Sequence, residues 1–472
     1  MNIKIKIIAA FFLVTGILLI SGCGCKPKNP HQHNLSLEIW GPLDSQDALR
    51  ASFDTYKKIN PNISNIEYKV IPVDNYKKEL VDALASEQGP DIFLIHNNWL
   101  PSFKDKIVNA PQSPLIINEQ KFRNNFVDVA IADFIDQGKI YATPLSVNSL
   151  ALYYNKDLFN QAGIVSPPKT WNEFTQDVQK LTTVNAFNEI TQAGAAIGTA
   201  YNINRSTDIL NLLMLQNNTN MVDDGGRVNF DKSVSVNGKS IFPGKNALNF
   251  YTQFSDTGSL NYTWNSRMHY SIDAFSEGTT AMMFNYSWHI KTIANKAPKL
   301  NFAVANVPQL ENSPKVNYAN YWGYAVAKNK IAQSVGNRNS RSAPTISNET
   351  RIKEAWEFLT YLTTKPDGTF KASSNKSGLG KTTNPNFDPA KDYLEKTKEP
   401  AARRDIIETQ KSDPEIGVFA TGNLIAKSWK ESDPDTIEGI FAQMIDQVNK
   451  GQTTVGKALQ SAARRVQTLT NH

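Results

Sequence analysis

Cysteine is nearly absent: Cys23 and Cys25 are the only two in 472 residues, and both precede the first strand-like segment. The bulk of the chain therefore holds no disulfide and no cysteine-ligated metal. Histidine is scarce, with six residues scattered along the sequence. There is no H-E-x-x-H zinc motif, no G-x-S-x-G nucleophile elbow and no cluster of metal ligands. His31 and His33 sit close together in a polar stretch, where such pairs are ordinarily incidental. Basic runs are missing as well. Lys and Arg number 50 against 44 Asp and Glu, and the net +6 is spread evenly. A nucleic-acid binder concentrates that charge in a patch or stripe, so this class is excluded. With a mean hydropathy of -0.40, a multi-span membrane protein is excluded too. What is present is globular: 40% hydrophobic residues with 8 Trp, 16 Tyr and 23 Phe, enough for sizeable cores. At roughly 150 residues per domain, two or three domains fit.

The N-terminus points to a compartment. Lys4 and Lys6 precede an apolar run from Ile7 to Ile20, shorter than the ~20 residues a membrane helix needs. The pattern is that of a secretory signal peptide over residues 1–22. Ile20-Ser21-Gly22-Cys23 resembles the bacterial lipobox, in which an aliphatic residue and two small ones lead to a cysteine. The resemblance implies cleavage before Cys23, diacylation of its thiol and a further acyl chain on the new amine. Two or more chains are what stable anchoring requires. Cys25 is the alternative acceptor, but Gly22 would then stand at the aliphatic position. Residues 23–34, polar and containing Pro30, read as a tether between lipid and fold.

Beyond the tether the pattern is α/β. Leu35, Leu37 and Ile39 alternate as in a strand, and Ala48, Leu49, Phe53, Tyr56 and Ile59 recur at helical spacing until Asn60-Pro61. Ile66, Tyr68 and Val70 alternate again. Tyr76, Leu80, Ala83 and Leu84 form a second helical face ended by Gly89-Pro90, and Ile92–Ile95 is continuously apolar, as in a strand buried on both faces. The order βαβαβ predicts a parallel sheet with right-handed crossovers. Ligands of such sheets bind beyond the carboxyl ends of the strands, which nominates the loops Gly41–Asp44 and His96–Trp99.

Several segments carry a family resemblance. Asp91-Ile92-Phe93 follows Gly89-Pro90, and Tyr141–Leu150 reads YATPLSVNSL. The block from Tyr153 to Phe174 contains YYNKDLF, then Ala162-Gly163-Ile164, then PPKTWNEF. Phe275–Tyr286 reads FSEGTTAMMFNY, and Val307-Pro308, Trp322–Val326 and Ala355–Leu359 complete the set. Together they resemble the bacterial extracellular solute-binding proteins of ABC importers, in the carbohydrate branch that includes maltose-binding protein. The resemblance implies an α/β, two-lobe periplasmic-binding-protein fold of type II, with three chain crossings and a ligand cleft between the lobes. One lobe is expected to hold 35–147 and 324–374, the other 148–323 and 375–472. The chain would capture its ligand, close on a hinge and dock on a membrane permease, as a monomer without cofactor or metal. It would act at the outer face of the cell membrane or in a periplasm, and not as an enzyme.

Sugar sites combine flat aromatics that stack on ring faces with Asn, Asp or Glu that hydrogen-bond to hydroxyls. Asn97, Asn98 and Trp99 follow the third strand, where the family places ligand contacts. Asn148 falls at the crossing where the family has a carboxylate that grips sugar hydroxyls; here it is an uncharged amide, which argues against a maltodextrin-like ligand. Asn285, Tyr286 and Trp288 match the segment whose tryptophan stacks on a sugar ring. Tyr201 with Asn202, Tyr318, Asn320, Tyr321 and Trp322, and Trp429 are further candidates, as is Trp264 in an aromatic loop. Trp356 shares a helical face with Ile352, Leu359 and Leu362 and is expected in the core.

Gly378–Thr383 ends like a phosphate-binding loop, but the first glycine of that motif would be Asn375, and a helix rather than a strand precedes it. Asp223-Asp224 before Gly225-Gly226 read as a turn. Two other readings stand beside sugar capture. One is the same fold binding a peptide, polyamine or phosphate ester. The other is a surface lipoprotein with adhesive or glycosidase activity, the latter needing two carboxylates at set separation across a sugar. A cleft rich in Asn and aromatics, rather than in carboxylates, would favour a neutral hydroxylated ligand over a polyamine. The lipobox has a direct test. Cys23→Ala should abolish metabolic labelling by a fatty-acid analogue and leave an uncleaved precursor; full labelling of that variant would place the anchor elsewhere.

Overall fold

The computed structural model describes residues 34–42, 46–187, 189–223, 225–330, 346–368, 370 and 387–470. The signal segment, nearly all of the tether, Cys23 and Cys25, Leu43 and Asp44 of the first candidate loop, Asp224 and Gly378–Thr383 lie outside the described residues.

Hydrophobic alternation builds the first core. Strand β1 (Leu35–Gly41) buries Leu35, Leu37 and Ile39, and helix α1 (Gln46–Ile59) buries Leu49, Phe53 and Tyr56 against it. Strand β2 (Ile63–Val70) is the sheet edge and is exposed at alternate positions. Helix α2 (Val73–Ala85) buries Tyr76 and Leu80, and strand β3 (Ile92–His96) is buried from Ile92 to Ile95. Both β2 and β3 run parallel to β1, in the order β2-β1-β3. The sheet is completed from far along the chain. Trp322–Ala327 returns antiparallel to β3, pairing Trp322 with His96 and Val326 with Ile92. That return strand carries Trp322 to the carboxyl end of β3, beside the loop that bears Asn98 and Trp99.

The second core has a separate antiparallel sheet. Strand β4 (Ala151–Asn155) lies between β5 (Met282–Asn285) and β6 (Phe302–Asn306). Helix α3 (Ser206–Gln216) is buried almost throughout and packs against this core, with Ile209, Leu210, Leu212, Leu213 and Met214 all enclosed. Full burial of such a side chain stabilises by about 1.5–3 kcal/mol, so α3 is among the least replaceable helices of this half. Trp264 is fully buried here and takes no part in a binding loop. Trp356 is buried in the first core, its indole N–H donating to the Val108 carbonyl.

Three short strands carry the chain between the cores. Asn148–Ser149 pairs antiparallel with Asn317–Asn320, which pairs parallel with Ala426–Lys427. At the second of these, Tyr318 packs in the second core and Tyr321 in the first. The third crossing lies away from the position read from the sequence. It was expected at 374/375, whereas helices α4 (Pro389–Thr397) and α5 (Arg404–Gln410) contribute Ala390, Tyr393, Leu394, Ile406 and Ile407 to the first core. Arg403 locks this segment in place. It is buried, and its guanidinium donates to both oxygens of Asp388 and both of Asp405. The chain enters the second core for good only after Ala426–Lys427, with helix α6 (Pro434–Asn449).

A buried carboxylate ties the crossings together. Asp133 accepts hydrogen bonds from Tyr321 Oη at 2.7 Å, Asn97 Nδ2 at 3.2 Å and Ser428 Oγ. Burial pushes it up to about 6, even though these donors and Lys430 oppose the rise. The folded protein thus holds the Asp133 proton more tightly than the unfolded chain. This contribution to stability is complete below pH ~4 and is lost as pH rises through about 6. Comparing denaturation of wild type and Asp133→Asn from pH 4 to 7 should reveal the difference. Wild type should lose up to about 3 kcal/mol relative to the variant over this window, and parallel curves would show that Asp133 does not titrate there.

Candidate functional site

The two cores face each other across a cleft of about 1020 Å³. Its first-lobe wall is aromatic. Trp99 and Trp322 stand nearly perpendicular, at 78° and 5.2 Å between centroids, with Phe103 stacked behind Trp99 at 5.2 Å. The opposite wall presents Trp288, half-buried, with Tyr286 stacked behind it at 4.6 Å and 23°. The core fixes Tyr286 itself: its hydroxyl donates to Asp208 Oδ2 at 2.8 Å, and its carbonyl accepts from Tyr153 Oη at 2.6 Å. Each platform is thus a ring supported by a second ring, which holds its face in one orientation.

Of the residues expected at the site, Asn98, Trp99, Asn148, Trp288, Tyr321 and Trp322 line the cleft, together with Tyr318 and Asn320. Five others stand off the wall. Asn97 is buried, donating to Asp133 and accepting from the Tyr321 amide. Asn285 is buried and donates to Asn204. Tyr286 supports Trp288 from behind. Trp429 donates from its indole N–H to Asn211 Oδ1 at 3.1 Å and stacks on Phe441, so it positions two lining residues without reaching the cleft. Tyr201 is exposed at 64% and does not line the cleft; its partner Asn202 anchors the Asn265–Met268 turn instead.

Asn148 lines the cleft with both polar atoms already engaged. Its Nδ2 donates to Glu399 Oε2 at 2.6 Å and its Oδ1 accepts from Ser287. It bridges the crossing to both lobes through one N–H and one acceptor site of its amide.

The cleft is more charged than the sequence suggested. Asp208, Glu399, Glu431, Asp435 and Glu438 line it, as do Lys77, Arg205 and Lys291. Lys77 of α2 and Asp435 of α6 join the two lobes in an ion pair of 2.6 Å. Glu431 is buried, and burial pushes its carboxyl well above the usual carboxylate range. A hydrogen bond from Asn98 opposes the rise, while Asp208, Glu438 and Asp133 add to it. Burial, then Asp208, raises Glu438 as well. His96, beneath the aromatic wall, is held below the usual imidazole range by burial and is therefore neutral near pH 7. Its ring nitrogens meet Asn98 at 2.6 Å and Asn320 at 3.0 Å, which fixes both amides at the cleft floor.

No sequence motif marked Arg205, Asp208, Glu431 or Glu438. Among the described residues no group of His, Cys, Asp and Glu is arranged to hold a metal, and no helix is long and apolar enough to cross a membrane.

This geometry agrees with the comparisons. A family model described as bacterial extracellular solute-binding protein matches residues 41–369. A binding protein of Brucella abortus is 25% identical over 252 residues, which is 53% of this chain and 56% of the relative. The chain thus spans only about half the length of such curated relatives. The multiple sugar-binding protein of Streptococcus mutans is 23% identical over 355 residues, 74% of this chain and 76% of that one. Among solved structures, the cyclic alpha-maltosyl-1,6-maltose binding protein of Arthrobacter globiformis matches with a TM-score of 0.69 at 18% identity, over 92% of this chain and 99% of that one. The two-lobe, type II architecture implied by the sequence motifs is the fold found. The matched model covers most of the chain, and the chain belongs to the bacterial extracellular solute-binding protein family.

Proposed function

We propose that the protein captures a sugar or oligosaccharide in the interlobe cleft and delivers it to the permease of an ABC importer, as a monomer without catalytic activity, held outside the membrane by lipid on Cys23. The observation that carries this reading is the pair of aromatic platforms, Trp99 with Trp322 on one lobe and Trp288 on the other, lining one cleft with amides and carboxylates around them. Ring faces of a sugar are apolar C–H surfaces, and its edge is a belt of hydroxyls. Flat rings with donors and acceptors between them complement both. The Streptococcus mutans relative is named for multiple sugars and the Arthrobacter structure for a cyclic maltosyl sugar, which supports the same class of ligand. The Lys77–Asp435 pair, with both residues lining the cleft, joins the two lobes, and opening of the lobes would separate it. In this family setting such an opening is a hinge motion about the three crossing strands.

Trp288→Ala separates a stacking role from a structural one. Losing a stacked ring removes about 0.5–1.5 kcal/mol beyond buried area, so with the area lost the affinity for the best-binding sugar should fall about ten- to a hundredfold. Trp288 is half-buried at the wall and the second core is closed behind it by Tyr286, so the melting temperature should change little. Titration calorimetry over a panel of neutral mono- and oligosaccharides, with thermal melts of the same samples, reads both. A large loss of stability with unchanged affinity would refute the stacking role, and silence of wild type across the panel would refute sugar capture.

A further inference from the structure

We propose that Arg205 is a specificity-determining ligand contact that donates to a hydroxyl of a neutral sugar ring seated on Trp288, while Asp208 accepts from a neighbouring hydroxyl of that ring. The inference rests on the sugar-capture reading and names what the second-lobe wall selects.

Arg205 occupies an unusual place. It is the N-cap of α3 with φ 64° and ψ 28°, the left-handed region. An L-residue with a long side chain pays a steric penalty there that glycine or asparagine largely escapes. The chain is held on both sides of it. The preceding residue, Asn204, is bonded three ways: its amide donates to Ser271 Oγ at 2.8 Å, its Nδ2 to Tyr270 Oη at 2.9 Å, and its Oδ1 accepts from Asn285 at 3.0 Å. The α3 helix starts at once, with Ile209 N–H donating to the Arg205 carbonyl at 3.0 Å. Strain over-determined in this way and kept at a binding surface points to a use for the side chain.

The side chain has an unmet requirement. Arg205 lines the cleft, yet it makes no ion pair and donates no hydrogen bond to any described residue, and its Nε is enclosed without a partner. Its guanidinium lies instead beside the stacked pair, 5.7 Å from the Tyr286 centroid and 5.7 Å from the Trp288 centroid. That contact orients a planar fork of donors alongside the stacking platform. Asp208, in the first turn of α3, also lines the cleft. One of its oxygens accepts from Tyr286 Oη, and the other accepts from no described residue. A donor fork and an acceptor therefore stand next to one aromatic face, each lacking its complement.

Charge selects among ligands that could satisfy them. An anionic sugar would gain Arg205 but would meet the Asp208 carboxylate beside it. An ammonium would gain that carboxylate but would meet Arg205 and Lys291. A neutral pair of adjacent hydroxyls, one accepting from Arg205 and one donating to Asp208, leaves no like charges in contact.

The test uses Arg205→Gly and Arg205→Asn, two residues that suit the left-handed region, and Gly is also acceptable at an N-cap. Both variants should fold and melt about as high as wild type. Both should bind the best neutral sugar of the panel about ten- to a hundredfold more weakly, as expected on losing a hydrogen bond to a charged donor. Monodeoxy analogues of that sugar then identify the partner. For one hydroxyl, its removal should weaken wild type but leave the variants unchanged. Variants that bind as wild type, or no deoxy position coupled to residue 205, would overturn the assignment while leaving sugar capture intact. Tighter wild-type binding of a uronic acid than of the matching neutral sugar, lost in Arg205→Gly, would overturn the neutral-ring part. If wild type binds no sugar in the panel, both this inference and the sugar-capture reading fall together.

Discussion

Two cores that share no sheet are joined by a three-stranded ladder of crossing segments, and the cleft exists because that ladder is short. Asn148–Ser149, Asn317–Asn320 and Ala426–Lys427 lie edge to edge, so the backbone groups of each are satisfied by its neighbours. Side-chain amides extend the pattern. Asn317 donates to the Leu150 carbonyl, and Asn423 to those of Val147 and Ala401. Buried polar bonds of this kind fix the register of the crossings without welding the lobes into one core. A wider apolar interface in their place would hold the lobes rigidly and leave no cleft to open.

The two walls inherit different chemistry from the elements that build them. On the first lobe, Trp99 and Trp322 come from the end of a strand and its antiparallel neighbour, so the sheet itself sets their perpendicular geometry. On the second lobe, Trp288 follows strand β5, and the charged groups come from helix termini: Arg205 and Asp208 from the start of α3, Asp435 and Glu438 from the start of α6. Burial then adjusts the charges. Burial raises the carboxyls of both Glu431 and Glu438, and Asp208 adds to each rise.

The first βαβαβ unit was readable from the sequence because its signals are local. Alternation marked β1 and β2, and a continuous apolar run marked β3 as doubly covered. Trp288 was nominated by its family-like segment, Trp99 by its place after the third strand and Trp322 by its cluster before the second crossing, and all three line the cleft. The third crossing was not, since nothing in the composition of Pro389–Gln410 says which core it joins. Burial of Tyr393 and Leu394 and the double clamp on Arg403 settle that only in three dimensions. Trp264 and Trp429 misled for the opposite reason: an aromatic residue beside polar ones looks the same whether its ring faces a cleft or a core. Arg205 carried no signal at all, because left-handed backbone at a non-glycine residue is imposed by its neighbours and not encoded by the residue itself.

Asn148 shows how a single departure from the family pattern is decided by its contacts. The position was expected to present an uncharged amide to the ligand in place of a carboxylate. In the structure its amide nitrogen points at Glu399, 2.6 Å away, and its oxygen accepts from Ser287. A carboxylate at 148 would face Glu399 at hydrogen-bond distance, and like charges so close cannot both stay ionised, so one would have to take up a proton. Asparagine avoids this by supplying a donor to Glu399 and an acceptor to Ser287 at once. Glu399 also lines the wall and belongs to the segment that Arg403 fastens to the first core. The amide at 148 thus links the packing of residues 387–411 to the chemistry of the cleft.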